Sequence, residues 1–106
     1  MLWMLLAASA PIYLSCEVPS GPNPNPVEMT LDETQGRATI YVVSTGVAYK
    51  APAAFTSEKV IVREEQSVWT IDRTTLAAER SYNFGRQPNF DTGKCVVKPA
   101  PANRAF

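Results

Sequence analysis

A chain of 106 residues, 45% hydrophobic and 19% charged, is at most one globular domain and lies far from disordered composition. Its ten basic and ten acidic residues cancel and gather on no periodic face, which removes the electrostatic footprint of nucleic-acid binding. Histidine is absent, which excludes the Ser-His and Cys-His nucleophile pairs and imidazole metal ligands.

Residues 1–10, MLWMLLAASA, are uncharged and apolar apart from one serine, and shorter than the ~20 residues of a membrane-spanning helix. They read as the apolar part of an export signal, without the basic n-region and below the roughly 15–30 residues usual for one. Cleavage fits after Ser9, or after Ala10 of the small-x-small triplet Ala8-Ser9-Ala10, where Pro11 would follow the cut. Tyr13-Leu14-Ser15-Cys16 also resembles a bacterial lipobox, with tyrosine in place of its leucine; Cys16 would then be a lipidated N-terminus.

The stronger reading of the same residues is a strand. Ile12, Leu14, Cys16 and Val18 share one face and Tyr13, Ser15 and Glu17 the other, a period of two. Cys95 and Val97 likewise share a face near the other end. Two inward cysteines, Cys16 and Cys95, in an exported chain suggest one disulfide tying the first strand to the last; the alternative is a pair of buried reduced thiols. No Cys-x-x-Cys or Cys/His cluster exists, so no metal site and no cofactor is expected.

Residues 19–26, PSGPNPNP, hold four prolines and read as an extended surface crossover between strands; docking to an SH3-like groove is the alternative. Val27, Met29 and Leu31 then alternate with polar residues, and after Asp32-Glu33-Thr34-Gln35-Gly36 the apolar pattern resumes over Thr39-Ile40-Tyr41-Val42-Val43. This predicts a hairpin with Gly36 at a left-handed turn position. Its return strand is apolar on both sides and is expected to be central. Val47-Ala48-Tyr49 and Ala53-Ala54-Phe55-Thr56 read as short strands separated by Pro52.

Residues 60–76, VIVREEQSVWTIDRTTL, carry the strongest hairpin signal, two apolar runs around the polar break Arg63-Glu64-Glu65-Gln66. Asp72 is placed to accept backbone bonds two residues on. Residues 75–80, TLAAER, are expected to be a strand, with one helical turn as the alternative. Residues 81–93, SYNFGRQPNFDTG, read as the longest loop, and Tyr82, Phe84, Arg86 and Phe90 on it are the candidate partner-binding residues, since aromatics and arginine favour interaction hot spots. The competing reading is that these rings cap the core. From Lys98 the tail has no period and is expected to be mobile.

Glu64, Glu65, Asp72 and Glu79 are the only clustered carboxylates. Glu64 and Glu65 fall at a turn, where charges are normally solvated, and Asp72 with Arg73 reads as a turn and an edge ion pair, so no catalytic residue is assigned and the chain is expected not to be an enzyme.

The order of parts resembles small exported proteins of bacteria and their phages that have no settled function. The residues that carry the resemblance are Leu14-Ser15-Cys16, Phe55, Trp69-Thr70-Ile71-Asp72-Arg73-Thr74 and Gly93-Lys94-Cys95. It implies an exported, disulfide-bonded, all-β protein and supplies no activity.

The sequence thus predicts an all-β fold, a small barrel or sandwich of about seven or eight mostly antiparallel strands. Residues 1–10 form the export segment, 11–98 a single β-domain and 99–106 a tail. The expected role is a periplasmic or secreted non-catalytic domain binding a protein or envelope component, with no nucleic acid and no transmembrane span. The alternative is a structural subunit of an assembly such as a phage particle, with the apolar N-terminus kept as a packing arm.

Overall fold

The computed structural model describes residues 10–83 and 89–99, and these form one closed barrel of eight antiparallel strands with no helix among them. In chain order they are β1 (Ile12–Glu17), β2 (Pro26–Asp32), β3 (Arg37–Val42), β4 (Val47–Phe55), β5 (Lys59–Arg63), β6 (Ser67–Asp72), β7 (Ala77–Tyr82) and β8 (Phe90–Lys98). Each strand pairs with its neighbour in sequence, and β8 returns to β1 to close the wall. The barrel alternative is therefore the correct one of the two predicted.

The period-two pattern sets the two surfaces. Leu14, Cys16, Val27, Met29, Leu31, Ala38, Ile40, Val60, Val62, Trp69, Ile71 and Ala78 fill the interior, as expected of eight strands whose lumen is just wide enough for side chains. Outward positions carry the exposed charges Glu28, Lys50, Glu79 and Lys94 alongside the exposed apolar side chains Tyr41, Phe90 and Val96. No helix of the described residues is long and apolar enough to cross a membrane.

The seam between β1 and β8 is covalently locked. Cys16 pairs directly with Cys95 and the two form a disulfide, with Cα atoms 3.9 Å apart. Cys95 donates its N–H to Leu76 on the other side. Toward β1 it therefore belongs to a non-hydrogen-bonded pair, the kind in which facing residues come closest. Two positions earlier, Gly93 lies under the β1 backbone; an added Cβ would sit 1.9 Å from the Glu17 carbonyl oxygen. Only glycine allows the strands to meet there.

Several turns follow their chemistry. Gly36 has φ of +65° in the β2–β3 turn, as that left-handed position requires. Asp72 accepts the N–H groups of Thr74 and Thr75, both at 2.8 Å, and these bonds hold its carboxyl below the ordinary range.

Five expectations need correction. Residues 19–26 are no crossover: they join the adjacent strands β1 and β2, tightened by reciprocal backbone bonds between Ser20 and Asn23. The return strand β3 is paired on both sides, by β2 and β4, as a strand away from an edge should be, but it is not buried on both faces, since Tyr41 is exposed. Pro52 does not separate two strands but lies inside β4. The loop of residues 81–93 is shorter than its composition suggests, because β7 runs to Tyr82 and β8 starts at Phe90. Arg73 does not form an edge ion pair with Asp72; it reaches Glu33 at 3.5 Å and the Thr56 carbonyl.

Candidate binding cleft

Seven of the eight ladders hold five or six residue pairs, but β4 and β5 share only three, from Ala53↔Val62 to Phe55↔Val60. The reason is local. Ala53 donates its N–H to Gly36 on the β3 side, so by alternation the amide positions of Ala54 and Pro52 face β5. Ala54 pairs with Ile61; Pro52 has no N–H to offer Arg63, the last residue of β5, and with β5 ending there the ladder stops. Beyond Pro52 the wall opens into a cleft of about 590 Å³, lined on one side by Tyr49 to Pro52 and on the other by Arg63 to Ser67, with Arg80 and Tyr82 beneath. The volume is within the range of ligand sites.

The floor of the cleft is polar and organised around Glu64. Its position continues the inward alternation of Val60 and Val62, so its carboxylate turns toward the barrel end rather than to solvent. There it accepts a bond from Trp69 Nε1 and an ion-pair bond of 2.9 Å from Arg80 Nη2, with the Tyr49 phenol nearby in the same cleft. Arg80 is the cross-strand partner of Trp69 and lies over that ring at 4.9 Å and over the Tyr82 ring at 5.5 Å, while its Nε donates to Ser67 Oγ at 3.1 Å. Cation–π contact and the carboxylate together fix the guanidinium plane. Tyr82 in turn donates to Asp91 at 2.7 Å. Burial first, then the neighbouring Glu64 charge and its hydrogen bond, push the Tyr49 phenol up to about 12.

The sequence-predicted partner residues separate. Tyr82 is on the cleft floor, and Phe90 is exposed on the outer wall at the start of β8. Phe84 and Arg86 lie outside the described residues. The structure brings in residues the sequence reading left out: Tyr49, Ser67, Arg80 and, against the expectation of a solvated turn charge, Glu64, whose side chain is only 11% exposed. Glu65, its neighbour, is exposed as expected. Among the described residues no group of His, Cys, Asp and Glu is arranged to hold a metal ion. No protein family, no curated protein and no solved structure matches this chain.

Proposed function

We propose that the chain is an exported, non-catalytic binding domain that takes a protein or envelope component at the β4–β5 cleft. The observation that carries this reading is the interrupted ladder: a wall closed everywhere else opens over a floor whose polar groups are held in place by one another. Prearranged polar groups in a concave site are what binding needs. The Glu64 carboxylate is engaged by Trp69 Nε1 and paired with Arg80, which suits a fixed recognition surface. The disulfide supports export, since such bonds persist in oxidising compartments.

A test is to express the chain in its own host with a photo-crosslinking residue at Gln66, on the cleft lip, or at Thr30, on the outer wall of β2. Fractionation and mass analysis then report location, thiol state and partner together. Envelope-side protein with its thiols blocked and cross-links confined to Gln66 is the expected result. An intact cytosolic chain with free thiols, or equal cross-linking from both positions, contradicts it.

The exposure of Ile12, Val96 and Val97 near the start of β1 favours the second reading, an assembly subunit whose apolar residues 1–10 pack against a neighbour. In that case sedimentation of the full chain gives an oligomer, and removal of residues 1–10 gives a monomer.

A further inference from the structure

Granted that the cleft binds a partner, the backbone that borders it says what kind. Residues 47, 49, 51 and 53 of β4 direct their peptide groups to β3, so Ala48 and Lys50 direct both N–H and C=O, and Pro52 its C=O, into the opening, where β5 does not pair with them. Opposite, Arg63 faces β4 by the same alternation, because Glu64 donates its N–H to Ser67 on the β6 side. A row of backbone donors and acceptors at strand spacing is a template for one more strand.

The charge at the rim selects among peptides. The side chains of Lys50 and Arg63 are exposed on the outer face, one on each bank of the cleft, and among the described residues neither has an ion-pair partner. The acid of the floor, Glu64, is already engaged by Arg80. A strand laid between the banks would direct alternate side chains outward, between the two cations, and the others inward toward Tyr82 and Arg80.

We infer that the cleft takes an extended acidic peptide segment by strand addition along β4, its backbone bonding Ala48 and Lys50 and its carboxylates lying between Lys50 and Arg63. The added strand pairs the part of β4 that lies past the end of β5 at Arg63. Because the rim cations are solvated, binding weakens as salt rises.

The test is an amide-resolved NMR titration of the oxidised, isotope-labelled protein, at up to millimolar peptide, with three probes: acetyl-EVEVE-amide, acetyl-KVKVK-amide, and the acidic peptide N-methylated at alternate amides. The acidic probe is expected to bind and shift the Ala48, Lys50 and Arg63 amides. The lysine probe is expected not to bind, and N-methylation to weaken binding about tenfold through the loss of one or two backbone bonds. The double variant Lys50→Glu/Arg63→Glu, changed only at exposed side chains, is expected to reverse the preference between the charged probes. Undiminished binding of the N-methylated probe, or absence of binding by the acidic one, overturns strand addition. If cross-linking at Gln66 nevertheless captures a partner, the cleft stands as a binding site with a different occupant; if it does not, both readings fall.

Discussion

Breaking the Cys16–Cys95 bond should remove a large share of the stability of the domain. The bond joins residues 79 positions apart, so in the unfolded chain it closes nearly the whole described barrel into one ring. The loop-closure relation gives about 4.5 kcal/mol for a ring of that size. Against the roughly 5–15 kcal/mol that holds a small domain together, this decides whether the barrel is robust or marginal. The position adds to the consequence, because the bond lies in the β1–β8 seam, where the first and last strands meet and where sequence-local turns give no help. The assay is urea unfolding, followed by tryptophan fluorescence, of oxidised protein, reduced protein and the Cys16→Ala/Cys95→Ala variant. With about 1–3 kcal/mol per molar urea, the midpoint should fall by roughly 1.5–4.5 M, and the melting temperature by roughly 20 °C or more. A reduced protein within about 1 kcal/mol of the oxidised form would refute the reasoning. It would mean that the unfolded chain is already compact or that the bond is offset by cost in the native seam.

Further perturbations test the seam and the cleft floor separately. Gly93→Ala places a methyl group 1.9 Å from backbone oxygen, which no rotamer can relieve, so a loss of about 3 kcal/mol or more is expected in the same urea assay; near-neutral behaviour would mean that β1 and β8 are not packed this closely. Arg80→Met leaves the Glu64 carboxylate without its cation and should cost about 2–3 kcal/mol, less than a fully buried pair because both side chains keep some exposure. Adding Glu64→Gln should recover part of that loss, and strict additivity of the two changes would show that they do not interact. Tyr49 retains its proton more tightly in the folded state than in the unfolded state, so its contribution to stability is complete below pH ~10 and is lost as the pH rises to about 12. Ultraviolet titration of the phenolate should show this shift in wild type and a return toward 10 in Glu64→Gln; an unchanged titration would remove Glu64 as a cause.

Much of the barrel is legible in the sequence because alternation and turn chemistry are local. The inward parity of Leu14, Cys16 and Val18, and of Cys95, suggests a disulfide between the terminal strands but leaves two buried thiols equally compatible with the pattern; the structure forms the bond. The parity does not reveal that the strands are adjacent, which is what converts a sandwich or barrel into a closed ring. Residues 81–93 read as a loop because Asn, Gly and Pro dominate their composition, yet Phe90 and Thr92 alternate with Asp91 and Gly93 in the wall. Gly93 is extended backbone chosen for closeness rather than a turn, and composition does not separate the two uses.

The cleft is less legible for a physical reason. Glu64 sits in a run of charged residues at a hairpin turn, and nothing in that run distinguishes it from Glu65. Its inward direction follows from continuing the parity of Val60 and Val62, and its stability there depends on Arg80, sixteen residues away. Pro52 is the one signal in the sequence for the opening itself. A proline within β-forming residues marks a place where a ladder bond is missing, and here it marks where the β4–β5 wall ends.

The most direct measurement of the central claim is residue-resolved amide hydrogen exchange along β4 in the free, oxidised protein. If the wall opens beyond Pro52, the amides of Tyr49 and Ala51, bonded to β3, exchange slowly, while those of Ala48 and Lys50, facing the cleft, exchange fast despite lying in the same strand. Equal protection of Lys50 and Ala51 would contradict the account, because it would mean that β4 is paired on both sides and that no strand edge is available to a partner.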